Sequence, residues 1–219
     1  EIMQAAHQVF DRAGGRIVGG HSTLGAELTI GFTVTGACRS EPITQAGARP
    51  GDTLVLTKPI GSGTIMAAEM EYRANGADVV AALALMCQPQ GEAAAILANA
   101  RAMTDVTGFG LIGHAAAVGR ASGCGIELWV DQVPLMRGAL GLARAGIRSS
   151  LYEKNREGYP QLSDASPRTA LLFDPQTGGG LLAAVPGDAE ATVVALRRAG
   201  FHAAAIGRVT EIPGQIALV

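Results

Sequence analysis

The sequence predicts an α+β fold, a mixed β-sheet covered by helices. Three observations point to it. Short apolar runs rich in Leu, Val and Ile alternate with segments of helical spacing. Some neighbouring runs are joined by turns too short for a crossover helix, which argues against a purely parallel sheet. Of 219 residues, 48% are hydrophobic and only 16% charged, enough to build a sizeable core and too apolar for disorder.

Glu1–Ala13 carries apolar residues at Ile2, Ala5, Ala6, Val9, Phe10 and Ala13, the spacing of a helix that Gly14 and Gly15 end. Arg16–Val18 reads as a brief strand. Gly19-Gly20-His21-Ser22 then forms a loop, either a plain turn or a backbone-rich approach to phosphates. His21 is a ligand contact or simply a loop histidine. Leu28–Ala37 is rich in β-branched residues and reads as a strand. Ser40-Glu41-Pro42 and Ala48-Arg49-Pro50-Gly51-Asp52 mark a linker and a candidate domain boundary.

Thr53–Thr57 is a short buried strand. Lys58–Gly63 turns into a helix over Thr64–Ala74, with Lys58 expected at the surface of the strand end, since the P-loop pattern is incomplete. Ala77–Met86 is an apolar helix that Pro89 interrupts, and Glu92–Ala100 resumes the spacing. A helix over Phe109–Ser122 precedes a strand over Gly123–Val130, with Trp129 expected in the core. Pro134–Ala145 is helical, and Gly146–Ser166 is a long polar loop. Pro167–Phe173 makes a helical turn and Asp174–Gly180 a glycine-rich one. The strand Leu181–Val185, the helix Asp188–Ala199 and the strands Ala203–Val209 and Ile216–Val219 close the chain.

Composition narrows the functional classes. Net charge is −2 without a basic block, and aromatics are 4%, so neither a nucleic acid nor a membrane surface is an expected partner. No apolar run reaches membrane-spanning length. Cys38, Cys87 and Cys124 are widely spaced, as expected of reduced thiols in the cytoplasm. The four histidines show no paired metal spacing. The chain opens with Glu1-Ile2 rather than an initiator Met and reads as a piece of something longer or a processed chain.

The most informative stretch is Met103–His114, MTDVTGFGLIGH. Its order is strand end, acid, glycine bend, helix start. Such a carboxylate sits at the mouth of a sheet, where ligands of α/β sheets collect. Gly108 and Gly110 let backbone come close to a bound group. Amides opening the helix favour an anion. Mg²⁺ shares one or two carboxylates with phosphates and water, so Asp105 is a candidate ligand for a metal-bound phosphate. A Thr-Asp pair before a helix also serves as an N-cap. The two roles are compatible and the residues leave both open.

Thr104–His114, Asp174–Leu182 (DPQTGGGLL), Lys58–Gly63 (KPIGSG) and Val18–Ser22 (VGGHS) together resemble the selenophosphate synthetase family, within the aminoimidazole ribonucleotide synthetase-like superfamily. The resemblance runs from Glu1 to the C-terminus. It implies that residues 1–41 end an N-terminal α/β domain for ATP binding and dimerisation, and that 48–219 form a C-terminal α+β domain. It implies a reaction of ATP, selenide and water giving selenophosphate, AMP and phosphate in a homodimer. Asp105 matches one of the family's Mg²⁺-binding aspartates. Gly19, Gly20, His21 and Ser22 match a loop that contacts the nucleotide of the dimer partner. Phosphoryl transfer needs mainly positioning and charge neutralisation, which such parts supply. Two departures stand out. Gly178 replaces the serine usual in the family's DPQT turn, and none of the three cysteines has the context of the family's catalytic Cys or selenocysteine. No catalytic residue is therefore expected within these 219 residues. A superfamily member acting on a purine precursor or a thiamine phosphate, and a non-catalytic assembly module, are the alternatives.

Overall fold

In the computed structural model, which describes residues 1–38, 40–162 and 166–219, Thr53–Leu56 (β1) lies inside a six-stranded sheet. The chain divides into two units, Glu1–Pro42 and Ile43–Val219.

In the first unit, helix α1 (Ile2–Arg12) follows the expected apolar spacing and ends where Gly14 takes a φ of +74°. The rings of Phe10 and Phe32 lie 5.7 Å apart. Arg16–Val18 and Leu28–Ala37 are irregular rather than strands. Neither has a hydrogen-bonded neighbour among the described residues, and a strand without a ladder partner is not stable. The alternating apolar side chains that predicted a strand are exposed, Leu28 by 86% and Val34 by 75%.

In the second unit, β1 is followed by α2 (Ser62–Met70), α3 (Gly76–Cys87), α4 (Gly91–Ile96), β2 (Ala102–Asp105), α5 (Gly110–Ser122) and β3 (Gly125–Leu128). Then come α6 (Ala139–Arg144), α7 (Tyr152–Glu157), α8 (Pro167–Ala170), β4 (Leu181–Val185), α9 (Glu190–Arg198), β5 (Ala204–Thr210) and β6 (Ile216–Leu218). The strand order is β2-β4-β1-β5-β3-β6, antiparallel except for β3 beside β6. The sheet is mixed, as expected.

The pleat divides the core in two. Leu54, Leu56, Leu182 and Ile206 face Leu111, Ile112, Ala115 and Val118 of α5. Val55, Ala183 and Val185 face Leu97, Val193, Leu196 and Phe201 on the other side. Each large apolar side chain so buried contributes roughly 1.5–3 kcal/mol. Helix α5 is thereby fixed on the sheet, and its start is fixed with it.

Several expectations need correction. Helix α6 begins five residues after Pro134, because Leu135 instead bridges to Ile60 and Gly138 turns the chain at a φ of +84°. The expected loop over 146–166 contains α7, anchored by buried Tyr152 against Phe173; its residues 163–165 lie outside the described residues. Trp129 is half-buried, its Nε1 donating to Glu127 at 2.9 Å, so it edges the core instead of filling it.

Candidate functional site

Asp105 ends β2, the outer strand beside β4. Its carboxylate is exposed and makes no hydrogen bond or ion pair with a described residue. It does not cap α5: the capping position belongs to Phe109, and no side chain caps that helix start. The amides of Gly108 and Phe109 donate to no described acceptor. A free carboxylate therefore stands five residues before an uncapped helix N-terminus, in a segment that solvent reaches.

The turn between them is held on every side. Val106 N–H donates to Gly180 O at 2.9 Å, and Thr107 O accepts from Gln176 N at 2.9 Å and Gly110 N at 3.1 Å. Asn155 Nδ2 donates to Gly108 O at 2.8 Å and to Phe173 O at 3.0 Å. His114 Nε2 accepts the Thr107 N–H at 2.9 Å. Burial lowers the His114 pKa below its ordinary value, partly opposed by the Asp105 charge.

The second glycine-rich turn supports this one rather than opening toward a ligand. A Cβ on Gly179 would lie 2.0 Å from Val106 O, and one on Gly180 would lie 2.6 Å from Lys58 N. Gly178 has a φ of +57°, and its Cβ would meet Met86 O at 2.5 Å. Gly178 thus stands at a backbone crossing that a side chain would block.

Lys58 is not a surface lysine. It is 1% exposed, its Nζ donating to Gln88 O at 2.8 Å and Gly178 O at 3.0 Å. Burial lowers its pKa, and two carbonyls stand where a counter-ion would. Locally the sequence held no sign of this, because the carbonyl partners are 30 and 120 residues away.

The start of α2, at the KPIGSG turn, is likewise already satisfied. Gln176 Oε1 accepts from Gly61 N at 2.9 Å and Ser62 N at 3.2 Å, and Asp174 Oδ2 accepts from Thr64 N at 3.1 Å. The two motifs meet each other, and Asp174 serves as the anion at this helix N-terminus. Gln176 is therefore a structural linker, bonded to one motif through its side chain and to Thr107 through its backbone.

Asp174 is 1% exposed, and its pKa is raised from 3.8 to about 6, chiefly by burial, with hydrogen bonds from Thr64 and Gln176 opposing. The folded chain thus holds this proton more tightly than the unfolded chain. Its contribution is complete below about pH 4 and is lost as pH rises through about 6. Asp174→Asn should remove this dependence, since Thr64 Oγ1 can reverse its bond to meet the new amide. Urea midpoints at pH 4 and pH 7 check it: relative to the variant, the parent should lose up to about 3 kcal/mol across that interval.

Gly19, Gly20, His21 and Ser22 lie in the first unit, exposed and irregular, and a Cβ on either glycine would meet nothing within 4 Å. The second unit by itself assembles Asp105, Thr107, Gly108, His114 and Asn155. No three His, Cys, Asp or Glu side chains among the described residues could hold a metal alone. One free carboxylate beside unpaired amides suits a cation that draws most ligands from phosphate and water, as Mg²⁺ does.

Residues 49–218 match the family model described as AIR synthase related protein, C-terminal domain. The chain is 37% identical over 217 residues to a selenide, water dikinase of Geobacter metallireducens, covering 95% of this chain and 63% of that protein. It is 39% identical over 198 residues to a selenide, water dikinase of Trichlorobacter lovleyi, covering 86% and 57%. It thus spans about three fifths of the length of these relatives. A thiamine-monophosphate kinase from Stenotrophomonas maltophilia K279a has the same fold, with a TM-score of 0.61, 18% identity, and coverage of 83% of this chain and 54% of that one. The chain belongs to the AIR synthase related protein family, and residues 49–218 are its C-terminal domain.

Proposed function

We propose that this chain is the C-terminal portion of a selenophosphate synthetase, an ATP-using enzyme that converts selenide and water to selenophosphate with release of AMP and phosphate. The observation that carries the reading is the unpartnered Asp105 carboxylate beside the uncapped start of α5. The choice of selenium over other phosphate acceptors is supported by the selenide, water dikinases to which the chain is similar.

In this reading Asp105 would hold Mg²⁺ together with the triphosphate, and the unpaired amides of Gly108 and Phe109 would donate to phosphate oxygens. When bound there, Mg²⁺ would supply charge neutralisation for the phosphoryl groups. His114, Asn155 and Gln176 keep the turn fixed, so little reorganisation is needed at the moment of reaction. Gly19–Ser22, all exposed, contact the nucleotide of the partner subunit in a cytoplasmic homodimer. The 219 residues bind and neutralise charge; none of Cys38, Cys87 and Cys124 is the selenium nucleophile. The described helices include none long and apolar enough to cross a membrane.

The test follows ³¹P resonances while the intact protein carrying this chain is incubated with Mg-ATP. Selenide-dependent appearance of AMP, phosphate and a selenium-bonded phosphorus is the expected result. ADP formed with thiamine monophosphate or a purine precursor, and no response to selenide, would transfer the reading to another branch of the superfamily. Failure of the intact protein to bind Mg-ATP would favour a non-catalytic module.

A further inference from the structure

We propose that His114 is the positioning residue for the cation-binding turn. Its unprotonated Nε2 holds the Thr107 amide, fixing Asp105 relative to the start of α5. The inference rests on the reading of Asp105 as a cation ligand.

Side chains of a helix lean toward its N-terminus. From the fifth residue of α5, His114 reaches back beyond the helix to Thr107, seven residues earlier, at 2.9 Å. A backbone N–H can only donate, so Nε2 must carry the lone pair and the proton resides on Nδ1. Thr107 Oγ1 lies 3.3 Å from the same nitrogen. His114 is 6% exposed, and the Phe109 ring lies 5.7 Å from its imidazole, tilted by 47°.

The remaining bonds to this turn make His114 distinctive. Gly180 O and Gln176 N attach it to the glycine-rich turn before β4, and Asn155 Nδ2 attaches it to α7. His114 is the side chain that attaches it to the start of α5, whose free amides would face the phosphate that a cation on Asp105 neutralises. Without that acceptor the Thr107 amide loses its partner, and the turn loses its side-chain tie to α5. The fold keeps α5 through Leu111, Ile112, Ala115 and Val118, so the turn can loosen while the helix stays in place.

Two variants of the intact protein test this. His114→Gln keeps an acceptor of similar reach, and His114→Leu removes it. Calorimetric titration of Mg²⁺ at fixed ATP should show affinity about tenfold weaker for Leu and within about threefold of the parent for Gln, the loss expected from one hydrogen bond. Thermal unfolding reports separately on the fold. ¹⁵N shifts of the imidazole in the parent should show Nδ1 protonated and Nε2 bare. Protonated Nε2, or equal Mg²⁺ affinity in the Leu and Gln variants, would overturn the proposal. If His114→Leu does not fold, a Gln variant with Mg²⁺ affinity as weak as tenfold below the parent would overturn it instead. Asp105→Asn, run alongside, separates the two claims. Unchanged Mg²⁺ affinity there refutes the role of Asp105 and this proposal with it. Lost affinity there with intact affinity in His114→Leu refutes the role of His114 alone.

Discussion

Asp105→Asn should lower Mg-ATP turnover of the intact protein by at least about 100-fold, the scale on which a preorganised electrostatic contact acts during phosphoryl transfer. The substitution keeps the shape and removes the charge. The fold should not register it. The Asp105 side chain is exposed and bonds to no described residue, so the stability cost should fall within about 0.5 kcal/mol. Steady-state rates across Mg²⁺ concentrations, with a thermal melt of the same preparation, check both halves. Normal turnover would refute the cation role. A collapsed melting curve would show that the carboxylate has a structural partner.

Gly179→Ala should have the largest effect on the fold. The added methyl would sit 2.0 Å from Val106 O and 3.0 Å from Gln176 Cβ. Neither neighbour is a flexible side-chain tip: one is backbone, and Gln176 is locked by bonds to Gly61, Ser62 and Asp174. The crossing must open, and with it the bonds from Val106 N to Gly180 O and from Gln176 N to Thr107 O. A cost of about 3 kcal/mol or more follows from overpacking a closed backbone crossing. For a chain of this size that is a fall of roughly 10 °C in melting temperature. Gly141→Ala is the control. It lies on α6, exposed, with nothing within 4 Å of its Cβ, and should gain roughly 0.5–1 kcal/mol. Equal melting temperatures for the Gly179 variant and the parent would refute the packing account of the DPQTGGG turn.

The contrast between those residues shows what the sequence could disclose. The place of Asp105, at a strand end before a helix, was legible because strand end, acid, glycine and helix start are consecutive, and local order dictates local geometry. The mixed sheet was legible for the same reason: its strands are short apolar runs bounded by turn residues. Lys58 was not, because its environment is made by carbonyls of Gln88 and Gly178 that only the tertiary fold brings to it. The glycines at 178–180 read as a glycine-rich turn, and the sequence did not say that the fold uses their missing side chains to pass backbone against Val106, Met86 and Lys58. Leu28–Ala37 illustrates the opposite failure. Its alternation is that of a strand, but strands exist by pairing, and no described residue pairs with it. The Asp174–Thr64 and Gln176–Ser62 bonds join two motifs visible separately in the sequence, more than a hundred residues apart.

Mn²⁺, substituted for Mg²⁺ with ATP bound, gives the most direct test of Asp105. The account predicts that substoichiometric Mn²⁺ broadens the Asp105 side-chain resonances and the amides of Thr107 and Gly108 in the intact protein, only when ATP is present. Sharp Asp105 resonances in a sample saturated with Mn-ATP would contradict it.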